Sequence, residues 1–154
     1  MIVYSGTKLQ FRNDVLTNDI ANIVHEAFKR ATGRSTGRQE FASWNNSLQY
    51  MDRILDDVEI PPDVGVAIEY HIPQTSKRID FILTGTDPDR RDTAILTELK
   101  QWDKAERTDK DGIVRVRYSG GLQEVPHPSY QVWSYKRLLE DFNQSVQEDT
   151  IPAR

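Results

Sequence analysis

The chain has 154 residues, of which 37% are hydrophobic and 29% charged, with a net charge of −4 and no cysteine. That composition suits one folded domain over residues 1–154 and excludes a disordered segment, a disulfide framework and a thiolate metal site. No apolar run approaches the ~20 residues of a membrane helix and the start lacks a secretory pattern, so a soluble protein of the reducing cytoplasm is the expectation.

In chain order, Ile2-Val3-Tyr4 reads as a short strand. From Asp14 to Ala31 the apolar positions Leu16, Ile20, Ile23, Val24, Ala27 and Ala31 recur at helical spacing, with Gly33 placed as a stop. His25 and Glu26 fall within that helix: His25 suits its surface or rim, and Glu26 is close enough in type and position to be a reserve metal ligand. Thr36 with Gln39 three residues on resembles a capping box, opening a second helix whose stripe is Phe41, Trp44, Leu48, Met51 and Leu55. Pro61-Pro62 ends it.

Val64 to Ile72 alternates, with Val64, Val66, Ile68, Tyr70 and Ile72 on one face and Glu69 and His71 on the other. A turn at Pro73–Ser76 leads into a strand headed by Asp80, a polar turn spans Gly85–Asp92, and a third strand runs to Glu98-Leu99-Lys100. Pairing of these strands brings Asp80 to the Glu98 end, and Glu69 near Asp80 as a candidate third acid. Two close carboxylates can hold a hard divalent cation such as Mg²⁺, and a lysine beside them can neutralise charge on a phosphate. Solvated charges at strand ends are the alternative reading.

Asp103–Asp111 reads as a charged loop, followed by an exposed hairpin from Ile113 to Tyr118 and Gly120-Gly121, with Arg115 and Arg117 on one face. These arginines suit either a solvated edge or a nucleic-acid backbone. Pro128 opens a helix to about Asn143 that sets Gln131 and Tyr135 on one face, and Ser145–Arg154 reads as a loose tail. Lys29, Arg30, Arg34 and Arg38 form a block free of acids between Glu26 and Glu40, and Lys77 and Arg78 directly precede Asp80. Such a rim fits a phosphodiester, whose charge the site's own carboxylates would repel. Ordinary mixed surface charge fits it too.

The ordered set Asp80, Glu98-Leu99-Lys100 and Gln131-Val132-Trp133-Ser134-Tyr135 resembles the PD-(D/E)XK nuclease superfamily, the last segment its RecB-type Gln-x-x-x-Tyr motif. The stretches N-N-S-L-Q-Y-M, A-I-E-Y-H-I-P-Q-T-S-K-R-I-D-F-I-L-T-G, E-L-K-Q-W and H-P-S-Y-Q-V-W-S-Y resemble bacterial proteins in which a nuclease-like domain precedes a Schlafen-like DNA/RNA helicase domain. The resemblance implies an α/β, restriction-endonuclease-like core. Its mixed central sheet would be flanked by helices, in the order N-terminal helices, three-stranded meander, helix. It implies Mg²⁺ or Mn²⁺ on Asp80, Glu98 and the Leu99 carbonyl, helped by Glu69, with Lys100, Gln131 and Tyr135 as catalytic groups. Arg115, Arg117, Lys77 and Arg34 would then meet DNA or RNA, and a helicase domain or subunit would be a partner. No Gly-x-x-x-x-Gly-Lys-Ser/Thr loop is present, so ATP hydrolysis is not carried over. The tail is too poor in apolar residues to supply the superfamily's last core strand, so the chain reads as a fragment, a trimmed chain or the product of a split gene. A metal-dependent deoxyribonuclease is the first expectation, and a catalytically silent nucleic-acid-binding module the alternative.

Overall fold

The structure, a computed structural model, describes residues 1–148 and 151–154. The elements are β1 (Ile2–Thr7), α1 (Lys8–Leu16), α2 (Ile20–Thr32), α3 (Arg38–Leu55), β2 (Gly65–His71), β3 (Arg78–Thr86), β4 (Asp92–Thr97), β5 (Ala105–Arg107), β6 (Ile113–Tyr118), β7 (Gly121–Pro126), α4 (Pro128–Phe142) and α5 (Gln144–Glu148). The fold is α/β. One sheet has the order β1-β2-β3-β4 and a smaller one the order β5-β6-β7, with every ladder antiparallel.

The first helical stretch is two helices rather than one. Thr7 caps α1 in a capping box with Gln10, so the strand runs straight into a helix anchored by the fully buried Phe11. The break falls at Asn18, which adopts a left-handed conformation (φ 57°), one that Asn tolerates better than most residues. Leu16 is consequently exposed, and α2 ends at Gly33 in the left-handed cap expected of it. The Thr36 capping box does not form: Gly37 is the N-cap of α3, and the Thr36 hydroxyl is buried without a partner. Lys8, almost fully buried, ties α1 to the loop after α3 by donating from Nζ to the Asp57 and Ile60 carbonyls at 2.7 and 2.6 Å.

Two apolar clusters lie on opposite sides of the large sheet. One packs α1, α2 and α3 on Val66, Ile68 and Phe81; the other packs α4 on Ile72, Ile79, Ile82 and Leu96. The even alternation expected along Val64–Ile72 therefore fails: Val66 and Ile68 face the first cluster, Tyr70 and Ile72 the second. The switch occurs at Glu69, whose φ of 58° inserts a left-handed residue into β2. The neighbouring strand switches at the same level, since Ile79 belongs to the α4 cluster and Phe81 to the other.

Two further expectations are corrected. The segment read as a loop contains β5, which extends the β6–β7 hairpin to three strands. The tail is docked: Ala153 forms a parallel bridge with Ala94, the Ala94 and Leu96 N–H groups donate to Pro152 and Arg154 carbonyls, and Ala153 is buried in the α4 cluster. Of that tail, residues 149 and 150 lie outside the described residues. The central sheet is thus antiparallel, and its parallel component is this short pairing at the β4 edge.

Phe81 is fully buried and meets Phe11 edge-on, with ring centroids 5.5 Å apart, where β3 backs onto α1. Phe81→Ala is expected to destabilise the fold by about 3–5 kcal/mol through lost transfer energy and the cavity left behind. Urea denaturation with an unchanged slope checks it; a loss under 1 kcal/mol would mean that this layer is not packed as described.

Candidate active site

The register of β3 on β4 runs through Phe81–Thr97, and one step further brings Asp80 beside Glu98. There the ladder stops. The Leu99 N–H donates to Asp80 Oδ2 at 3.0 Å, so a side chain takes a backbone donor that a longer strand would have given to its neighbour. This is why β4 ends at Thr97 instead of running to Lys100. Glu98 is nearly buried: its Oε1 accepts from Lys100 Nζ at 2.5 Å, and its Oε2 is buried with no hydrogen-bond partner among the described residues. Lys100 also lies 5.8 Å from the centroid of the Trp102 ring, whose Nε1–H donates to the Tyr118 hydroxyl at 3.2 Å and so links this segment to the small sheet.

Burial pushes the Asp80 carboxyl above its ordinary range, against the pull of the Leu99 N–H, Arg78 and Lys100. Burial raises Glu98 as well, with the Asp80 charge adding to the effect and Lys100 opposing it. On α4, Tyr135 is buried one helical turn after Gln131, whose Nε2 donates to the Tyr135 hydroxyl at 3.4 Å. Burial and then the Glu98 charge raise the Tyr135 phenol, keeping it a neutral donor. Asp80, Glu98, Lys100, Gln131 and Tyr135 thus come together where the two strands meet α4.

Glu69 stands differently. It is 3% exposed, and Oε1 accepts from the Trp44 indole N–H at 2.7 Å. Arg78 Nε lies 2.6 Å from Oε2, an ionic contact whose angle does not make a directed hydrogen bond. Arg78 NH1 donates in turn to Glu40 Oε1 on α3. Burial raises the Glu69 carboxyl to about 7, the Arg78 charge and the Trp44 donor pulling the other way. Among the described residues no three His, Asp or Glu side chains form a metal-holding group, and Glu69 is turned to Trp44 and Arg78 rather than completing one. Glu26 is exposed on α2. The sequence places Trp44 in a helix stripe and Arg78 in a basic rim, but their joining with Glu40 around Glu69 leaves no periodic signal.

Asp80, Glu98 and the Leu99 carbonyl offer hard oxygen donors of the kind Mg²⁺ or Mn²⁺ takes. The orphaned Oε2 of Glu98, in a pair of buried, mutually repelling carboxylates, fits a cation there. The basic residues are dispersed. Lys77 is exposed one residue before β3, and Arg34 is exposed just past α2. On β6, Arg117 is exposed, whereas Arg115 shares Glu124 with Lys110. Among the described residues no helix is long and apolar enough to cross a membrane. The chain matches no protein-family model, no curated protein and no solved structure.

A carboxyl raised in the folded state contributes stability that is fully present below its unfolded value of 4.5 and is lost as pH rises towards about 7. In metal-free buffer the unsubstituted chain is therefore expected to lose stability relative to Glu69→Gln as pH rises through that window, and to hold a constant offset above it. Paired thermal melts across the window check this. A flat difference would show that the Glu69 carboxyl is not raised by burial.

Proposed function

We propose that the chain is a Mg²⁺- or Mn²⁺-dependent nuclease of PD-(D/E)XK type that hydrolyses phosphodiester bonds in DNA, working in the cytoplasm beside a helicase domain or subunit. The observation that carries the reading is the partnerless, buried Glu98 Oε2 beside Asp80, with the Lys100 ammonium at the same carboxylate. Buried polar atoms without partners are uncommon and ask for an explanation. A divalent cation held by Asp80, Glu98 and the Leu99 carbonyl would supply charge neutralisation on the phosphate and a lowered pKa for the attacking water.

The chain's own residues account for the rest. Lys100 sets a fixed positive charge where negative charge builds on phosphorus. The Tyr135 hydroxyl, kept protonated and accepting from Gln131, would donate to the substrate backbone. The parallel return of residues 152–154 to β4 after α4 supports the reading of a restriction-endonuclease-like core, since the superfamily adds its last strand at that point in the chain order. A shallow hollow between Glu98 and Pro128–Ser129 adjoins a larger one bordered by Ser129 and Tyr130. Tyr130 stacks on Trp133 with centroids 5.8 Å apart, both rings more than half exposed, and Gly112 leaves Tyr130 its room: a Cβ there would sit 3.2 Å from the ring. Flat, exposed aromatics suit unpaired bases.

Asp80→Asn and Glu98→Gln are each expected to abolish Mn²⁺-dependent cleavage as completely as the double change, because residues acting as a unit are not additive. Lys100→Ala is expected to keep cation binding and lose at least ~10²-fold in cleavage. Assays on single- and double-stranded DNA beside Mn²⁺ calorimetry check all three. Wild-type cleavage by Asp80→Asn would move the site elsewhere, and salt-sensitive DNA binding without cleavage by the unsubstituted chain would favour a silent binding module.

A further inference from the structure

This inference rests on the reading of Asp80 and Glu98 as a cation-holding pair. Arg78 stands two residues before Asp80 on β3, and its charge acts on Asp80, Glu98 and Tyr135 alike. A guanidinium presents a planar fork of donors suited to a carboxylate, so an arginine so placed is a competitor for any cation that Asp80 would take. Yet among the described residues the one hydrogen bond to the Asp80 side chain comes from the Leu99 N–H, and Arg78 is turned instead to Glu40 and Glu69.

That diversion is built at some expense. Glu69 is fixed in a left-handed conformation within a strand, which side chains other than Gly adopt reluctantly. Its carboxylate is buried, where a charge is costly unless partnered. The partners are Arg78 and the indole of Trp44, itself 5% exposed, so the carboxylate is aimed at Arg78 from a rigid support. Glu40 closes on the same guanidinium from α3.

We propose that Glu69, fixed by Trp44, is a positioning residue that together with Glu40 holds the Arg78 guanidinium away from Asp80, leaving the Asp80 carboxylate free for a divalent cation. A positive charge remains near enough to favour ionisation of Asp80, but not in contact with it. Glu69 then governs the centre without touching the cation, which separates this role from that of a third ligand.

The test is calorimetric titration with Mn²⁺ alone, in anaerobic buffer at about pH 8, where ordinary carboxylates are ionised. E69Q is expected to bind Mn²⁺ about tenfold more weakly, because the released guanidinium pairs with Asp80 on the scale of an opposite charge at contact. E69Q/R78Q, which removes the competitor as well, is expected to bind at least as tightly as the unsubstituted chain. Because loss of the Arg78 charge by itself favours a cation at Asp80 and Glu98, R78Q alone is the reference. E69Q/R78Q is expected to match R78Q, and a double variant about tenfold weaker than R78Q, as a ligand or merely structural role for Glu69 predicts, overturns the proposal. Unchanged binding by E69Q overturns it too. If metal-free melts show E69Q unfolded, E40Q and E40Q/R78Q take its place at a partly exposed position, with the same loss and recovery expected. A folded, unsubstituted chain that binds no Mn²⁺ brings down the metal-centre reading and this proposal with it.

Discussion

The placing of the candidate site depends on one residue in an unfavourable conformation. Glu69 sits within β2 at φ 58° and is almost wholly buried. A left-handed residue of this kind costs roughly 1–2 kcal/mol, so it persists only where the surroundings hold it. Trp44 and Arg78 do so. At that level the facing of β2 reverses, and that of β3 with it, while their pairing register stays unbroken. Val66 and Ile68 therefore serve the helical layer of α1–α3, and Tyr70 and Ile72 serve α4. The acidic residues lie at the seam between these two packing regimes.

A seam between two apolar clusters is a dry place for charge, and the electrostatics follow. Burial raises Asp80, Glu98 and Glu69 together, while Arg78 and Lys100 draw them back. Removing one member of such a group usually costs more than the intact group contributes, because it leaves a buried charge uncompensated. The cluster is thus a weak source of stability. Its unsatisfied oxygen on Glu98 marks where the proposed chemistry is centred.

Much of this was legible in the sequence because it is written in periodicity and punctuation. The α3 stripe of Trp44, Leu48, Met51 and Leu55 is buried as its spacing requires, Pro128 opens α4, and Gln131 and Tyr135 share a side of that helix. The meander from β2 to β4 follows from its turns, and the hairpin register brings Asp80 to Glu98. What escaped reading is what periodicity does not encode. The Thr7–Gln10 box opens α1 at Lys8, ahead of the helical spacing that starts at Asp14, so only the last turn of α1 is legible and it runs on into α2. Thr36 yields its capping role to Gly37, and the tail docks through backbone bonds that apolar content does not announce. Glu69 is the instructive case. Even alternation puts it beside Asp80 as a third acid, whereas one left-handed residue turns it to Trp44 and Arg78.

In the proposed reading, Asp80 and Glu98 jointly hold a divalent cation. The most direct measurement is anomalous X-ray diffraction from crystals of the chain soaked in Mn²⁺, with data collected on both sides of the manganese edge. A single strong anomalous peak is expected between the Asp80 and Glu98 carboxylates, within coordination distance of Glu98 Oε2 and the Leu99 carbonyl, and with Glu69 still on Trp44 and Arg78. A peak elsewhere, or no peak at a concentration where calorimetry shows binding, would contradict it.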